Sequence, residues 1–229
     1  AANILRLGHP NMIHLAAGDA ERALEEANEG FALIPKQTYI TPHYHFLLVT
    51  CQADLYERRG RRAFERIEAD WPLIKSAQFL RAQCLRLEIR HLRARAAVAA
   101  ACEGSTPSSK GRGRTTRDHL LREATHEANI IRRDALPLGG ALGDVVLAAV
   151  AHLQGDEERS LSLLDDCQRR FDSLGLKLYR EATRFVANHL RHDANAMSES
   201  VSQMKRKNIV NTAAMTGMLV PNFNLPTSN

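Results

Sequence analysis

The sequence predicts an all-α protein whose helices stack side by side into an array, an α-solenoid. Between Tyr44 and Cys102, apolar residues recur every three or four positions in three stripes, which places each stripe on one side of a helix. The stripes are Tyr44, Leu48, Cys51 and Leu55, then Phe64, Ile67, Trp71 and Ile74, then Leu80, Cys84, Leu87, His91, Ala94, Val98 and Ala101. Because an apolar stripe must be covered by another element, three consecutive stripes indicate stacking. Helical arrays of this kind commonly bind partners.

The composition is that of a folded protein, with 229 residues of which 44% are hydrophobic and 25% charged. The net charge of +5 permits an acidic partner without requiring one. Four cysteines without a C-x-x-C pair are interpreted as small buried residues in a reducing compartment. The sequence shows no secretory leader and no apolar run of about 18 residues, so we expect a cytoplasmic chain that does not insert into a membrane.

Residues 1–102 are expected to form a first helical-repeat section. After the irregular stretch that contains Gly8-His9-Pro10-Asn11, Asp19 is predicted to cap the first long helix. Gly60 is expected to end a helix in the left-handed conformation, and Pro72 to kink or shorten the next one near Trp71. The helices predicted here are Ala20–Leu33, Thr41–Arg59, Arg61–Lys75 and Ser76–Cys102.

Residues 103–116 read EGSTPSSKGRGRTT and are rich in Gly, Ser and Arg. We expect a flexible surface loop between the two halves of one continuous domain.

Residues 117–229 are expected to form a second helical-repeat section that ends in short capping helices. Pro137 and the Gly155-Asp156 turn mark boundaries within it. The predicted helices are Arg117–Ala135, Leu138–Gln154, Glu157–Leu174, Lys177–Arg191, Asn195–Lys207 and Thr212–Leu219.

Residues 139–174 resemble a tetratricopeptide repeat. Small residues occupy the positions where its two helices approach each other, and Gly155-Asp156 lies at the turn. These small residues are Ala148, Ala149, Ser160 and Cys167. Tyr44–Pro72 resembles a degenerate repeat whose second helix is expected to be too short for the standard register. The fold implied is a series of antiparallel, tetratricopeptide-like helix pairs.

The order of segments also resembles the C-terminal helical region of large bacterial serine/threonine protein kinases that carry repeat arrays behind the kinase domain. Three segments carry this likeness. The first is residues 8–17, and the second is Trp71-Pro72-Leu73, which precedes the Arg-rich helix that ends in residues 91–97. The third is a group of residues near the C-terminus. That group is Asn211, Met215, Met218, Leu219, Pro221 and Phe223. The chain departs from the family pattern at His14, Asn208 and Thr212, and Asn208 tolerates a left-handed conformation almost as glycine does.

The resemblance implies a non-catalytic interaction and regulatory domain in bacterial signal transduction. No kinase motif occurs in the chain, so a parent kinase would encode its catalytic domain upstream of Ala1. The partner would be a protein or peptide, including that catalytic domain. The alternative is a helical signal-relay region of a bacterial transcriptional regulator, and a third interpretation is a standalone enzyme with a cryptic site.

The one candidate binding surface is a basic stripe formed by Arg86, Arg90 and Arg93, whose spacing of four and three places them on one helix face. It is either a solvated face whose aliphatic stems cover a neighbouring helix or a surface for an acidic or phosphorylated segment. Nucleic acid is disfavoured because no aromatic residues are interleaved with the arginines.

No catalytic, cofactor-binding or metal-binding residue is expected. Ser108-Ser109-Lys110-Gly111 has the wrong order for a phosphate-binding loop. His43 and His45 lack a third ligand, as do His119 and His126, and are interpreted as solvent-facing or capping residues; His91 is predicted to be a packed core residue. Core positions, as opposed to a ligand pocket, are predicted for four large side chains: Trp71, Leu80, Leu87 and Leu164.

Overall fold

The computed structural model describes residues 10–35, 38–103, 112–223 and 225, with the side chains of Pro10 and of residues 112–115 left out. Within these residues all regular structure is helical, which confirms the all-α prediction and the array of consecutively packed helices. The helices are α1 (Pro10–Ala16), α2 (Ala20–Phe31), α3 (Thr41–Tyr56), α4 (Gly60–Ser76), α5 (Gln83–Glu103), α6 (Arg112–Arg132), α7 (Pro137–Leu153), α8 (Glu157–Ser173), α9 (Lys177–Leu190), α10 (Ala194–Lys205) and α11 (Thr212–Leu219).

Five of the turns between helices have the same three-residue form. In each, the middle residue has a positive φ: Gly18, Arg58, Gly155, Gly175 and His192. The third residue donates its amide to a carbonyl in the last turn of the preceding helix, as Asp156 does to Ala151 over 2.9 Å, which completes a Schellman-type stop. Such short turns force consecutive helices to run antiparallel.

From α1 to α10, the odd-numbered helices form an inner layer and the even-numbered helices an outer one. α5 contacts α3 and α7 in addition to its sequence neighbours, and α1 contacts α3. α7 is buried around most of its circumference from Ala141 to Ala151, whereas α2 and α8 expose one face. The inner layer is therefore a surface built from α3, α5, α7 and α9.

The C-terminal segment (residues 209–225) returns across this inner layer. α11 packs against both α3 and α9, and the Asn222 side-chain amide donates to the Val98 carbonyl of α5 over 2.6 Å. The Phe223 ring stacks on His152 of α7 with centroids 4.8 Å apart. One connected hydrophobic cluster consequently includes residues from Leu15 to Leu225.

The α7–α8 pair has the turn and the small buried residues that the sequence predicts for it. Gly155 has φ +84°, and the Asp156 side chain accepts the Arg159 amide as a helix cap. Ser160 and Cys167 are fully buried, and the Cys167 thiol donates to the Ala141 carbonyl. Small residues at these positions allow the two helices to approach.

The prediction that Gly60 ends a helix is wrong. Arg58 takes the left-handed conformation, with φ +61°, and Gly60 begins α4. A Cβ on Gly60 would lie 2.5 Å from the Ala99 carbonyl carbon and 2.7 Å from the Ala100 nitrogen. The glycine is therefore required by the close approach of α4 to α5.

The expected early end of the helix near Trp71 does not occur, because α4 continues through Pro72 to Ser76. Pro72 is exposed, so the carbonyl that loses its helical partner can bond to water. α4 has 17 residues, as α8 has, so the second helix of this pair is not short. The next helix starts later than predicted: Gln78 has φ +60°, and a 3₁₀ turn at Phe79–Arg81 precedes α5.

The segment 103–116 differs from the expected loop at both ends. Glu103 belongs to α5, where its carboxylate accepts the Gly60 and Arg61 amides and so caps α4. Residues 112–116 are helical, as the first turn of α6. Residues 104–111, on which the expected flexibility mainly rests, lie outside the described residues.

Among the predicted core residues, Leu164 is fully buried and Leu87 is buried, whereas Trp71 and Leu80 are half-buried against the core. His91 is buried as predicted, and Asn208 has the expected positive φ of 60°. None of the helices in the described part of the chain is both long and apolar enough to cross a bilayer.

Candidate functional site

The three arginines of the predicted basic stripe lie between helices and bind carboxylates of the same chain. Arg86 pairs with Asp134 over 2.8 Å, and Arg90 pairs with Glu127 of α6 over 2.6 Å. Arg93, whose side chain is only 9% exposed, contacts three carboxylates: Glu68, Glu123 and Glu127. The guanidinium groups of the stripe are therefore paired within the chain, and binding of an external acidic segment to them stays a prediction.

Trp71 completes the network on the α4 side. The Arg93 guanidinium lies 4.6 Å from the centroid of the indole ring, and that of Arg90 lies 5.9 Å away. Cation–π contacts of this kind add to the ion pairs when the groups are partly desolvated. The arginine stripe therefore links α4, α5 and α6 to one another.

The remaining candidate is a cleft of about 400 Å³ in the inner layer. Its volume lies within the range of about 300–1,000 Å³ that small-ligand pockets occupy. The lining comes from α3, α5, α7 and α9 and from the turns that precede α7 and α9. Leu87, which is buried as predicted, is among the lining residues.

One face of α5 runs through the cleft from its mouth to its floor. Cys84 and Glu88 are exposed, whereas His91 and Arg95 are each only 3% exposed. These four residues are spaced four, three and four apart, which places them on one helix face. The cleft thus has an open, acidic mouth and a closed, basic floor.

Arg95 is the most unusual residue of the cleft. Its Nη1 donates to the Met218 carbonyl of α11 over 2.6 Å, and its Nε is buried without a hydrogen-bond partner. Within the described part of the chain, no carboxylate lies within ion-pair distance of its guanidinium, in contrast to Arg93. A buried charge without a counter-charge is costly, so the floor is electrostatically suited to an anion.

His91 lies one helical turn from Arg95, and its Nε2 is also buried without a partner. Burial lowers the pKa of the His91 imidazole well below its usual range, and the charge of Arg95 lowers it further. The ring is therefore neutral at pH 7 and can donate one N–H.

Tyr179 and Tyr44 complete the polar surroundings. The Tyr179 ring lies 6.1 Å from His91, and burial raises the pKa of its hydroxyl, so it remains protonated. At the mouth, the Tyr44 hydroxyl donates to the Glu88 carboxylate, which holds that side chain towards α3.

The other histidines that the sequence singled out are not brought into the cleft. The His43 Nδ1 accepts the Ile40 amide over 3.3 Å, which is a helix-capping contact, and His119 and His126 are exposed on α6. Among the described residues, no group of three or more His, Cys, Asp or Glu side chains has the geometry of a metal site.

The sequence analysis did not single out Arg95, because this arginine does not lie on the helix face that Arg86, Arg90 and Arg93 share. Arg95 lies four residues after His91, on the face that was interpreted as apolar core. The signal in the sequence that could have identified Arg95 is its position four residues after His91, a histidine predicted to be in the core.

Comparisons with known protein families, with curated protein sequences and with solved structures find no match to this chain.

Proposed function

We propose that this chain is a non-catalytic helical-repeat domain that binds a partner or ligand at the inner-layer cleft and thereby regulates the protein that carries it. The observation that carries this proposal is Arg95, a buried guanidinium without a carboxylate partner in the described chain, on the floor of a cleft of about 400 Å³. A folded protein tolerates such a charge where a ligand completes the site.

The cleft is favoured over the inner layer as a whole because residues 209–225 already cover much of that layer. Thr212, Met215, Met218 and Val220 are all buried there. A long peptide could not lie along α3, α5 and α7 without displacing this segment, so recognition at the cleft is local.

The biological setting follows from the resemblance to the C-terminal region of bacterial serine/threonine protein kinases. We propose that the chain acts in the cytoplasm as part of such a kinase, with a protein or peptide partner that includes the upstream catalytic domain. All four cysteines are free thiols, which suits a reducing compartment. Nucleic acid is not part of the proposal, because the arginines that formed the candidate basic stripe are paired with carboxylates.

The sequence encoded upstream of Ala1 is the first test. We expect the kinase glycine-rich loop, the catalytic loop and the D-F-G motif. A nucleotide-binding regulator domain or a DNA-binding domain in that place would support the transcriptional alternative and overturn the kinase assignment.

The second test fills the cleft in the full-length kinase. Leu138 is half-buried at the cleft wall, so Leu138→Trp can extend into the cleft with little disturbance of the core. We expect the rate of substrate phosphorylation to change by about fivefold or more, as typical coupling between sites would give. The matched control is Arg169→Gln, at a residue whose side chain is 72% exposed on α8, and it should leave the rate unchanged. Equal rates for both variants and the parent would overturn a regulatory role for the cleft.

A further inference from the structure

The chemistry of the cleft specifies which kind of molecule it accepts, on the premise that the cleft is the binding site proposed above. Arg95 and Arg93 are both buried arginines of α5, yet within the described ranges only Arg93 has carboxylates at ion-pair distance. Among the described residues, the hydrogen bond that Arg95 makes goes to the Met218 carbonyl, which carries no net negative charge. An arriving anion would therefore gain an unusually strong partner.

His91 and Arg95 both line the floor of the cleft and are one turn apart on α5. The Arg95 Nε and the His91 Nε2 are enclosed and have no hydrogen-bond partner among the described residues. A carboxylate has two oxygens and accepts from a guanidinium and a second donor at once. A neutral polar group could accept a hydrogen bond from Arg95 but would not neutralise the positive charge of its guanidinium.

The walls are apolar and come from several elements. Leucine side chains surround the floor on the α3, α5 and α7 sides and at the turns before α7 and α9, and they are Leu48, Leu85, Leu87, Leu136, Leu138, Leu142 and Leu176. Such a wall favours a hydrocarbon body over a polar one, because burial of apolar surface contributes most of the binding free energy.

The mouth sets a limit on the ligand's charge. Glu88 lies seven residues from Arg95 on the same face of α5, which corresponds to about 10 Å along the helix. A second negative group on the ligand, placed near the mouth, would be repelled by this carboxylate.

We infer that the cleft binds the end of an apolar molecule that terminates in a single carboxylate, with the carboxylate on Arg95 and His91 and the apolar body along the leucine wall. Two sources share this chemistry: a free aliphatic carboxylic acid, and the C-terminal end of a polypeptide with apolar final residues.

The experiment measures binding to the 229-residue chain by isothermal titration calorimetry. The probes for the first source are octanoate, octanol and octanedioate, and those for the second are acetyl-Leu-Leu with a free carboxylate and the same peptide as its amide. We expect the monocarboxylate of at least one source to bind about tenfold or more tightly than its neutral counterpart, as a charge-assisted hydrogen bond implies. Octanedioate should bind about tenfold more weakly than octanoate because of Glu88. Which monocarboxylate binds identifies the source.

Two variants decide where the probes bind. Arg95→Gln should abolish the preference for the carboxylate, and Leu138→Trp, which fills the cleft and leaves Arg95 in place, should abolish binding; circular dichroism establishes that each variant is folded. Arg169→Gln is the control and should bind as the parent chain does. The inference is overturned if neither monocarboxylate outcompetes its neutral counterpart, or if the preference survives in both cleft variants. The binding experiment could show no preference for a carboxylate while Leu138→Trp still changes the rate in the kinase assay. That combination would reject this class of ligand but would support the regulatory role of the cleft.

Discussion

At the scale of single residues, most of the buried charged side chains of the described chain lie on the inner helices. Arg93 and Arg95 are two residues apart on α5 and both are buried, but they face different surroundings. Arg93 faces α4 and α6, where it meets Glu68, Glu123 and Glu127. Arg95 faces the cleft and α11, where it meets a carbonyl. The first arginine is therefore held by ion pairs between helices, whereas the second is the residue on which the proposed binding site rests.

Replacement of Arg93 by alanine should be strongly destabilising. It leaves the fully buried Glu127 with Arg90 as its remaining partner and removes the contact with Trp71. Breaking a buried ion pair typically costs about 3–5 kcal/mol of unfolding free energy. Urea unfolding at pH 7 measures the loss. The control is Arg169→Ala, which removes an exposed pair with Asp166 and should cost less than about 1 kcal/mol. Similar losses for both variants would contradict the structural role of Arg93.

At the scale of helices, the turns show what could be predicted from the sequence. Apolar spacing located the helices, and Gly155-Asp156 identified a turn that the structure confirms. The turn before α4 was misplaced because a glycine normally takes the left-handed position, whereas here Arg58 does. The reason lies in residues 39 and 40 positions further on, Ala99 and Ala100 of α5, which leave no room for a side chain on Gly60. A local pattern cannot show such a contact.

The arginine stripe shows the same limit. The spacing of Arg86, Arg90 and Arg93 correctly placed them near one face of a helix. What covers that face is decided by α6, and Glu127 is 34 residues from Arg93 in the chain. Sequence spacing alone could not distinguish an exposed basic surface from an internal ion-pair network.

The close approach of α4 to α5 can be tested by adding a single methyl group. Gly60→Ala should destabilise the chain by about 1–3 kcal/mol, as overpacking of a core typically does. The matched control is Gly217→Ala in α11, where an added Cβ meets nothing within 4 Å; it should be neutral or stabilise by up to about 1 kcal/mol through helix propensity. Denaturant midpoints compare the two. A neutral Gly60→Ala would mean that the helices can move apart freely.

At the scale of the whole molecule, the C-terminal segment changes how the array holds together. In an open array each repeat contacts only its neighbours, and stability is nearly a sum of local terms. Here residues 209–225 contact α3, α5, α7 and α9 at once. Helices that are far apart in the sequence are thereby coupled.

This coupling predicts that a destabilising substitution in α8 also lowers the unfolding midpoint that is measured at α4. Leu164→Ala removes a fully buried side chain and should cost about 2–5 kcal/mol. Because the core is continuous, we expect the unfolding midpoints from Trp71 fluorescence and from helical circular dichroism to fall together. The exposed Leu174→Ala should shift both by little. A Trp71 midpoint that stays in place while the circular dichroism midpoint falls would show that the halves unfold independently.

The return of the C-terminal segment also has a consequence for the nascent chain. Residues 209–225 leave the ribosome after every helix that they cover, so α3, α5 and α7 are synthesised well before their apolar inner surface can be shielded. The ribosome adds about 5–20 residues per second to the chain. Until residues 209–225 have been synthesised, the exposed apolar surface of these helices is prone to aggregation. The interval between the emergence of α3 and that of α11 is therefore the period in which this chain most needs a chaperone.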